Sequence, residues 1–214
     1  MNNTMNENNF DSSDEEALEK EQTPFELSWL SLEPVNYAHI LGISALPGCK
    51  FKNVWRNLFQ NVEEIKRHEI QDVFIFCTMS ELSFYRVPTL IQEYHKQDFV
   101  IHHYPFLDGD VPEIDTCHKI MEDLKTCMDH SRKTLIHCYG GLGRSCLIAA
   151  CLLLWLDDGM IPDEAIQLVR ASRGPGAIQT IKQYNFVNEF RENIPSRSHP
   201  SFEETRQALP RLSR

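Results

Sequence analysis

The chain contains 214 residues, of which 42% are hydrophobic and 24% charged, proportions typical of a globular protein. Its formal net charge is −10 at pH 7, which argues against a broad nucleic-acid surface and against electrostatic docking on an anionic membrane. The seven cysteines include no CxxC pair and never share metal-ligand spacing with histidine, so we expect free thiols in a reducing compartment and no metal site.

The two ends of the chain differ in composition from its middle. Residues 1–26 contain eight acidic residues and one lysine, and large apolar side chains are scarce there. Such a segment buries too little surface to offset the entropy lost on ordering. We expect a disordered acidic tail over residues 1–23, a single domain over 24–193 and a flexible C-terminal tail over 194–214. Ser12 and Ser13 each precede an acidic residue by three positions, which suits either an acid-directed kinase or an unregulated, solvated tail.

Strand-like and helix-like patterns alternate between these ends. Short β-branched or aromatic runs predict strands, and apolar residues at helical spacing predict helices. The predicted strands cover residues 40–46, 72–77, 99–104 and 134–137. The predicted helices cover residues 54–70, 88–96, 113–130, 144–156, 162–173 and 177–193. This alternation predicts an α/β fold with a mostly parallel central sheet flanked by helices, in which functional groups gather at the carboxyl ends of the strands.

The strand at 134–137 leads into the segment His137-Cys138-Tyr139-Gly140-Gly141-Leu142-Gly143-Arg144-Ser145. Its three glycines allow the loop to curl so that successive backbone N–H groups of residues 139–143 face one point. The positive end of the following helix dipole lies at the same place. These features predict a phosphate cradle built by Tyr139, Gly140, Gly141, Leu142 and Gly143, to which the guanidinium of Arg144 adds two hydrogen bonds.

Cys138 is expected at the floor of this cradle, where inward amides and Arg144 would favour its thiolate and lower its pKa from about 8.5. A thiolate inside an anion-binding loop suits nucleophilic attack on phosphorus. Ser145 can donate a hydrogen bond to the sulfur when the thiolate leaves, and His137 is expected to order the loop rather than to transfer a proton. The alternative is a glycine-rich turn that contains a structural, buried cysteine.

A phosphate ester of serine or threonine also needs an acid that protonates the leaving alkoxide. The predicted strand ending at Tyr104 runs into a loop that contains Asp108 and Asp110. Asp108 is the candidate acid and Asp110 its rival. The alternative is that both carboxylates only shape an Asp-Gly turn.

Residues 137–145 resemble the signature of the cysteine-dependent protein phosphatases, and the Asp108 loop resembles the acid loop of their dual-specificity class. Residues 176–186 are similar to the downstream glutamine segment of that superfamily. A longer similarity, to the kinase-associated phosphatase family, spans about residues 10–193. It is carried by residues 10–16, 22–24, 28–32, 45–52 and 133–146.

The resemblance implies a dual-specificity phosphatase that hydrolyses phosphothreonine, and also phosphoserine and phosphotyrosine, through a phosphocysteine intermediate without a cofactor. It implies that Cys138 is the nucleophile, Arg144 the phosphate clamp and Asp108 the general acid, and it places Gln179 near the pocket. The implied partner is a phosphorylated cyclin-dependent kinase, attacked at its activation loop, so that the cell cycle is restrained. The cradle loop contains no lysine, which disfavours a phosphoinositide substrate. We expect a monomer in the cytoplasm and leave perinuclear or nuclear locations open.

Other interpretations share parts of this sequence. A non-catalytic module could hold a phosphorylated kinase and inhibit it, although binding alone requires no thiolate at Cys138. An RNA triphosphatase shares the loop, but the acidic net charge argues against it. Cys77 ends the strand predicted next to Cys138, and we hypothesise that it traps oxidised Cys138 as a disulfide. The alternative for Cys77 is a buried structural thiol.

Overall fold

We describe residues 22–37 and 40–194 of a computed structural model of the chain, without the side chain of Ile40. The two predicted tails, with Ser12 and Ser13, lie almost wholly outside these ranges. Thr23 donates its backbone N–H to the carbonyl oxygen of Trp55 at 2.8 Å, and Ile194 is only 4% exposed. Both residues, which lie just outside the predicted domain of residues 24–193, pack against the fold.

A five-stranded sheet forms the centre of the protein. The strands of the chain are β1 (Leu27–Ser31), β2 (Ile40–Ser44), β3 (Lys50–Phe51), β4 (Val54–Trp55), β5 (Asp72–Ile75), β6 (Val100–His103) and β7 (Thr134–His137). The order in the sheet is β1-β2-β7-β5-β6, with β1 antiparallel to β2 and the other neighbours parallel. Strands β3 and β4 form a separate hairpin. All four residues of β5 and of β7 are buried, the apolar residues together with the polar Asp72, Thr134 and His137.

Helices flank this sheet, which confirms the predicted α/β fold. They are α1 (Leu58–Arg67), α2 (Met79–Phe84), α3 (Leu90–Lys96), α4 (Ile114–Asp129), α5 (Arg144–Leu156), α6 (Pro162–Arg173), α7 (Ile181–Asn188) and α8 (Phe190–Asn193), with a 3-10 turn at Glu33–Val35. Twelve of the thirteen residues of α5 are buried, because α4, α6, α7 and α8 pack around it. In the described part of the chain, no helix is both long enough and apolar enough to cross a bilayer.

The structure corrects several predicted boundaries. The helix predicted over residues 54–70 begins only at Leu58, because Val54 pairs with Phe51 in the hairpin that turns through Lys52 at φ +52°. The helix predicted over 177–193 begins at Ile181 and breaks at Glu189. Residue Ile178, at φ +63°, instead donates its N–H to the carbonyl of Leu142, in the loop between β7 and α5. Strand β1, the hairpin and helix α2 were absent from the prediction.

Candidate active site

The loop between β7 and α5 lies at the carboxyl ends of the parallel strands. Cys138 follows β7 directly and is 1% exposed, and its Sγ accepts a hydrogen bond from the N–H of Gly141 at 3.2 Å. Arg144 is the first residue of α5, and the helix follows the loop without a side-chain cap at Gly143. The predicted strand, loop and helix thus occur in the predicted order, and the sulfur lies beneath a loop amide.

The carbonyl groups of this loop point outward, where neighbouring elements bind them. Leu46 N–H donates to Tyr139 O at 2.9 Å, and Ile178 N–H donates to Leu142 O at 2.9 Å. Arg173, the last residue of α6, donates from Nη2 to Gly140 O at 3.3 Å and from Nε to Gly141 O at 3.1 Å. In a trans peptide, each carbonyl is antiparallel to the following N–H. The amides of residues 140–143 are therefore held facing away from these partners, and the amide of Gly141 reaches the Cys138 sulfur.

Gly141 is the position where this curl requires glycine. Its φ is +67°, and a Cβ added there would lie 2.4 Å from the carbonyl oxygen of Ser44 on β2. A side chain would have to displace main chain rather than a flexible neighbour. The close approach of the loop to β2 thus fixes where the amide above Cys138 lies.

Arg144 is fully buried, yet it keeps its charge. Its Nη1 and Nη2 donate to the two carboxylate oxygens of Glu81 at 2.8 and 2.6 Å, and Nη1 also donates to the carbonyls of Phe76 and Phe106. Burial lowers the pKa of Arg144, but its hydrogen bonds to Glu81 and the nearby negative charges, that of the Cys138 thiolate form first among them, together outweigh burial and raise the pKa above its ordinary value. The guanidinium is therefore a fixed positive charge beside the sulfur.

Glu81 is a site residue that the sequence prediction missed. It lies in α2, where its carboxylate accepts from Thr78 N–H at 2.8 Å while Thr78 Oγ1 accepts from Glu81 N–H at 3.2 Å. Burial raises the pKa of Glu81, but the hydrogen bonds from Arg144 and Thr78 and the positive charge of Arg144 together outweigh burial and lower the pKa. The Thr-x-x-Glu capping box is visible in the sequence and could have located α2, although nothing in it indicates the pairing with Arg144.

Three buried polar atoms of the site have no hydrogen-bond partner among the described residues. They are Nε of Arg144, Oγ of Ser145 and Nδ1 of His137. An unpaired buried donor is costly, so such groups point to a partner that arrives with a ligand. The predicted hydrogen bond from Ser145 to the Cys138 sulfur is not formed here, and that role stays a prediction.

The two candidate acids lie in different surroundings. Asp108 is 56% exposed in its side chain, and its Oδ1 lies 3.2 Å from Nη2 of Arg144. Asp110 instead pairs with Lys182 and accepts from the N–H of Val111. The hydrogen bond from Lys182 lowers the pKa of Asp110, which favours its ionised form and makes it a poorer proton donor. Geometry therefore favours Asp108 over Asp110 as the acid.

The start of α7 ties the acid loop to the cradle. Thr180 Oγ1 donates to Gly109 O at 2.9 Å, and the fully buried Gln183 donates from Nε2 to Asp110 O at 3.2 Å. Gln179 lies against the cradle, since a Cβ added to Gly143 would come within 2.9 Å of Gln179 Oε1. The structure thus places Gln179 beside the loop as predicted, and it adds Gln183 and Thr180 as residues that position the acid loop.

His137 and Cys77 lie beneath the site. His137 is fully buried with Nε2 3.1 Å from the hydroxyl of Tyr94, and burial, with His103 and Arg144, lowers its pKa to about 3. It is therefore neutral at physiological pH, in keeping with an ordering role. Cys77 Sγ lies 3.9 Å from Nη2 of Arg144, and burial raises the pKa of Cys77 above its usual range. Both thiols are thus near one guanidinium.

One group of potential metal ligands occurs among the described residues, namely Asp72, His102 and Cys127. Asp72 begins β5, at the opposite end of the strand from Cys77, and its carboxylate already pairs with Arg132. This group is therefore separate from the cradle.

The comparisons with known proteins agree with this geometry. The family model for cyclin-dependent kinase inhibitor 3 (CDKN3) matches residues 2–166. The chain belongs to this family. Cyclin-dependent kinase inhibitor 3 proteins of Sus scrofa and Homo sapiens are 59% and 58% identical over 185 residues, covering 86% of this chain and 87% of each relative.

A solved structure extends the similarity to three dimensions. It is kinase-associated phosphatase with its catalytic-site cysteine replaced by serine, and it matches with a TM-score of 0.78 and 57% identity over 80% of this chain and 97% of that one. This family and its structural neighbours confirm the predicted enzyme class. The chain is a dual-specificity protein phosphatase with a cysteine nucleophile.

Proposed function

We propose that the chain hydrolyses phosphothreonine in the activation loop of a cyclin-dependent kinase, and that it also accepts phosphoserine and phosphotyrosine. The observation that carries the proposal is the position of Cys138 Sγ under the Gly141 N–H, next to a charged Arg144 whose Nε has no partner among the described residues. The names of the related proteins, which are inhibitors of such kinases or associate with a kinase, support the choice of substrate.

In the first step, the thiolate of Cys138 attacks phosphorus and the bond from phosphorus to the threonine oxygen breaks. Asp108 gives its proton to the departing oxygen, so that threonine leaves as a neutral alcohol. The loop amides and Arg144 bind the three remaining phosphate oxygens, which supplies preorganised stabilisation of the transition state. Arg144 can use Nε for this without leaving Glu81, because the Glu81 contacts occupy only Nη1 and Nη2.

In the second step, water attacks the phosphocysteine and the phosphorus–sulfur bond breaks. Asp108, now ionised, accepts the proton of that water, and inorganic phosphate forms. The sulfur leaves as a thiolate, to which Ser145 donates a hydrogen bond. Its hydroxyl is fully buried and has no other partner among the described residues, which leaves it available for this role.

The rim of the site suits a protein substrate. Leu107, next to Asp108, is 68% exposed, and Ile181, next to Thr180, is 80% exposed. Two exposed apolar side chains beside the acid can contact residues that flank a phosphothreonine. The cradle loop offers no lysine for the additional phosphates of an inositol headgroup.

The test is release of phosphate from a cyclin-dependent kinase that carries phosphothreonine in its activation loop. Wild type should release it, Cys138→Ser should release none, and Cys127→Ser, at a thiol near Asp72, should behave as wild type. If wild type and Cys138→Ser both bind the kinase and neither releases phosphate, the chain acts as a non-catalytic inhibitor. Release from phosphotyrosine peptides but not from the kinase would refute the substrate and leave the phosphatase intact.

A further inference from the structure

A second pocket lies beside the active site, on the β3–β4 hairpin. Its volume is about 360 Å³. We call it the hairpin pocket. It is lined by Lys50, Phe51, Lys52, Trp55, Phe84 and Arg86. They combine three cations with three aromatic rings and include no carboxylate.

The cations of the hairpin pocket have no acidic partner in the described part of the chain. No carboxylate of the described ranges lies within ion-pair distance of Lys50, Lys52 or Arg86. The ammonium groups of Lys50 and Lys52 instead lie 5.2 Å from the ring centre of Trp55 and 5.3 Å from that of Phe51. In a chain of net charge −10, an isolated positive patch of this kind fits an acidic ligand.

The pocket is also where the acidic end of the chain enters the fold. Thr23 N–H donates to Trp55 O at 2.8 Å, and Trp55 N–H donates to Thr23 Oγ1 at 3.0 Å. Trp55 lines the pocket. Thr23, the second described residue of the chain, is therefore held at the pocket wall.

Those residues have the complementary charge. Residues 1–21 contain seven carboxylates and one lysine, a net charge of −6, and five of the carboxylates fall between Asp14 and Glu21. Each residue of extended chain spans up to about 3.5 Å, so all five are within chain reach of the pocket, whose lining residue Trp55 is bonded to Thr23, two residues beyond Glu21. Tethering at this distance gives an effective concentration on the order of millimolar.

We propose that residues 14–21 of this chain occupy its own hairpin pocket, with their carboxylates on Lys50, Lys52 and Arg86 and with Leu18 against the aromatic rings. The binding is intramolecular and needs no catalytic activity. Two independent observations support the proposal. One is the opposite charge of the pocket and of residues 14–21, and the other is the pair of hydrogen bonds between Thr23 and Trp55.

The hairpin pocket adjoins the residue that follows Cys138. Phe51 lies 6.3 Å from the ring of Tyr139, and Tyr139 stacks on Tyr85 at 4.2 Å. Under this proposal, a phosphate on Ser12 or Ser13 adds negative charge next to residues 14–21 in sequence and strengthens the docking.

Carbodiimide cross-linking of the full-length chain tests the proposal directly. This reagent joins a lysine ammonium to a carboxylate in contact with it, and mass spectrometry identifies the pair. We expect links from Lys50 and Lys52 to carboxylates of residues 14–21, and few from Lys66, an exposed lysine on α1 that bonds only to the neutral Gln97. In 1 M salt, where the Debye length is about 3 Å, the links should fall by about fivefold or more.

Two variants complete the test. The double change Lys52→Gln and Arg86→Gln should reduce the links to Lys50 by about fivefold, because the patch loses two of its three charges. The matched change Lys66→Gln should leave them unaltered. An equal mixture of ¹⁴N and ¹⁵N chains distinguishes links within one molecule from links between two.

Several results would overturn the proposal. One is an absence of links between the pocket lysines and residues 14–21, and another is an equal yield at Lys66. Links that join a ¹⁴N chain to a ¹⁵N chain would show that the pocket binds residues 14–21 of a second copy. An unchanged link to Lys50 in the double variant, with a raised KM for an acidic phosphothreonine peptide, would assign it to the substrate.

Discussion

Replacing Glu81 by glutamine tests whether this carboxylate holds the phosphate clamp. Glu81→Gln keeps the size of the side chain, and its amide oxygen can still accept from Thr78 N–H. It cannot keep both contacts with Arg144, because Nη1 and Nη2 now donate at 2.8 and 2.6 Å to two oxygens and the amide offers only one. The change therefore removes one charge and at least one hydrogen bond.

The magnitude follows from what remains around Arg144. A hydrogen bond to a charged group contributes about 1.5–3 kcal/mol, and the Glu81 side chain is only 18% exposed, so solvent screens it little. Arg144 keeps the carbonyls of Phe76 and Phe106, so its charge is not left without partners. We expect the free energy of unfolding to fall by about 2–3 kcal/mol at neutral pH, and kcat/KM to fall about 10- to 100-fold.

The pH dependence of this loss has a definite sign. Burial raises the pKa of Glu81, but the hydrogen bonds from Arg144 and Thr78 and the charge of Arg144 together outweigh it, so the folded-state pKa lies below the unfolded value of about 4.3. A carboxylate with a lowered pKa stabilises the fold fully above the unfolded value, and this contribution is lost as pH falls through the folded value. The difference between wild type and Glu81→Gln should therefore be complete above about pH 5 and shrink below about pH 4.

Urea unfolding across this pH range and steady-state kinetics supply the measurements. Glu69→Gln is the matched control, because Glu69 pairs with Lys133 on the surface and is 77% exposed. It should change neither stability nor kcat/KM measurably. Equal effects of the two variants, or a Glu81→Gln enzyme with wild-type kcat/KM, would show that the main-chain carbonyls alone position Arg144.

Three further predictions concern the same site. Asp108→Asn should lower kcat about 10²- to 10⁴-fold and remove the fall in rate at alkaline pH, while Asp110→Asn should change kcat little. If a pH–rate profile instead shows the large loss for Asp110→Asn and the small one for Asp108→Asn, Asp110 is the acid. Gly141→Ala should abolish phosphate release, and urea unfolding should show a loss of about 1–3 kcal/mol from backbone strain, because the added Cβ meets a carbonyl of β2. An active variant would show that the loop does not require glycine at this position. Under mild peroxide, mass spectrometry should detect a Cys77–Cys138 disulfide, formed with loss of water as the Cys77 thiol attacks the sulfenic acid, and over-oxidised Cys138 without this link would rule it out.

The parts of the site that the sequence predicted are those in which neighbouring residues determine the structure. The buried strand β7, the glycine loop and the apolar helix α5 follow one another, and each pattern is complete within a few residues. The structure gives α5 the predicted bounds, 144–156. Position at the strand end also brought Asp108 to Arg144, because parallel strands deliver their loops to one edge of the sheet.

The parts that were missed depend on distant contacts. Glu81 and Arg144 are 63 positions apart, and no local pattern indicates that they meet. Residues 177–180 have apolar spacing that is typical of a helix, but Ile178 is drawn out of helical geometry by its bond to Leu142. Val54 likewise fits the helical spacing of the residues after it, and pairing with Phe51 makes it a strand.

The bond from Arg173 to Ser28 gives the outermost strand a part in catalysis. Arg173 holds the carbonyls of Gly140 and Gly141, and its remaining nitrogen donates to Ser28 Oγ on β1 at 3.1 Å. A shortened form of the protein that began after β1 would retain Cys138, Arg144 and Asp108 but lose Ser28, which holds the Arg173 side chain that anchors the loop above the sulfur. Natural or laboratory truncations near residue 30 should therefore be judged by the rigidity of that loop, and a full set of reactive side chains is no guarantee of turnover.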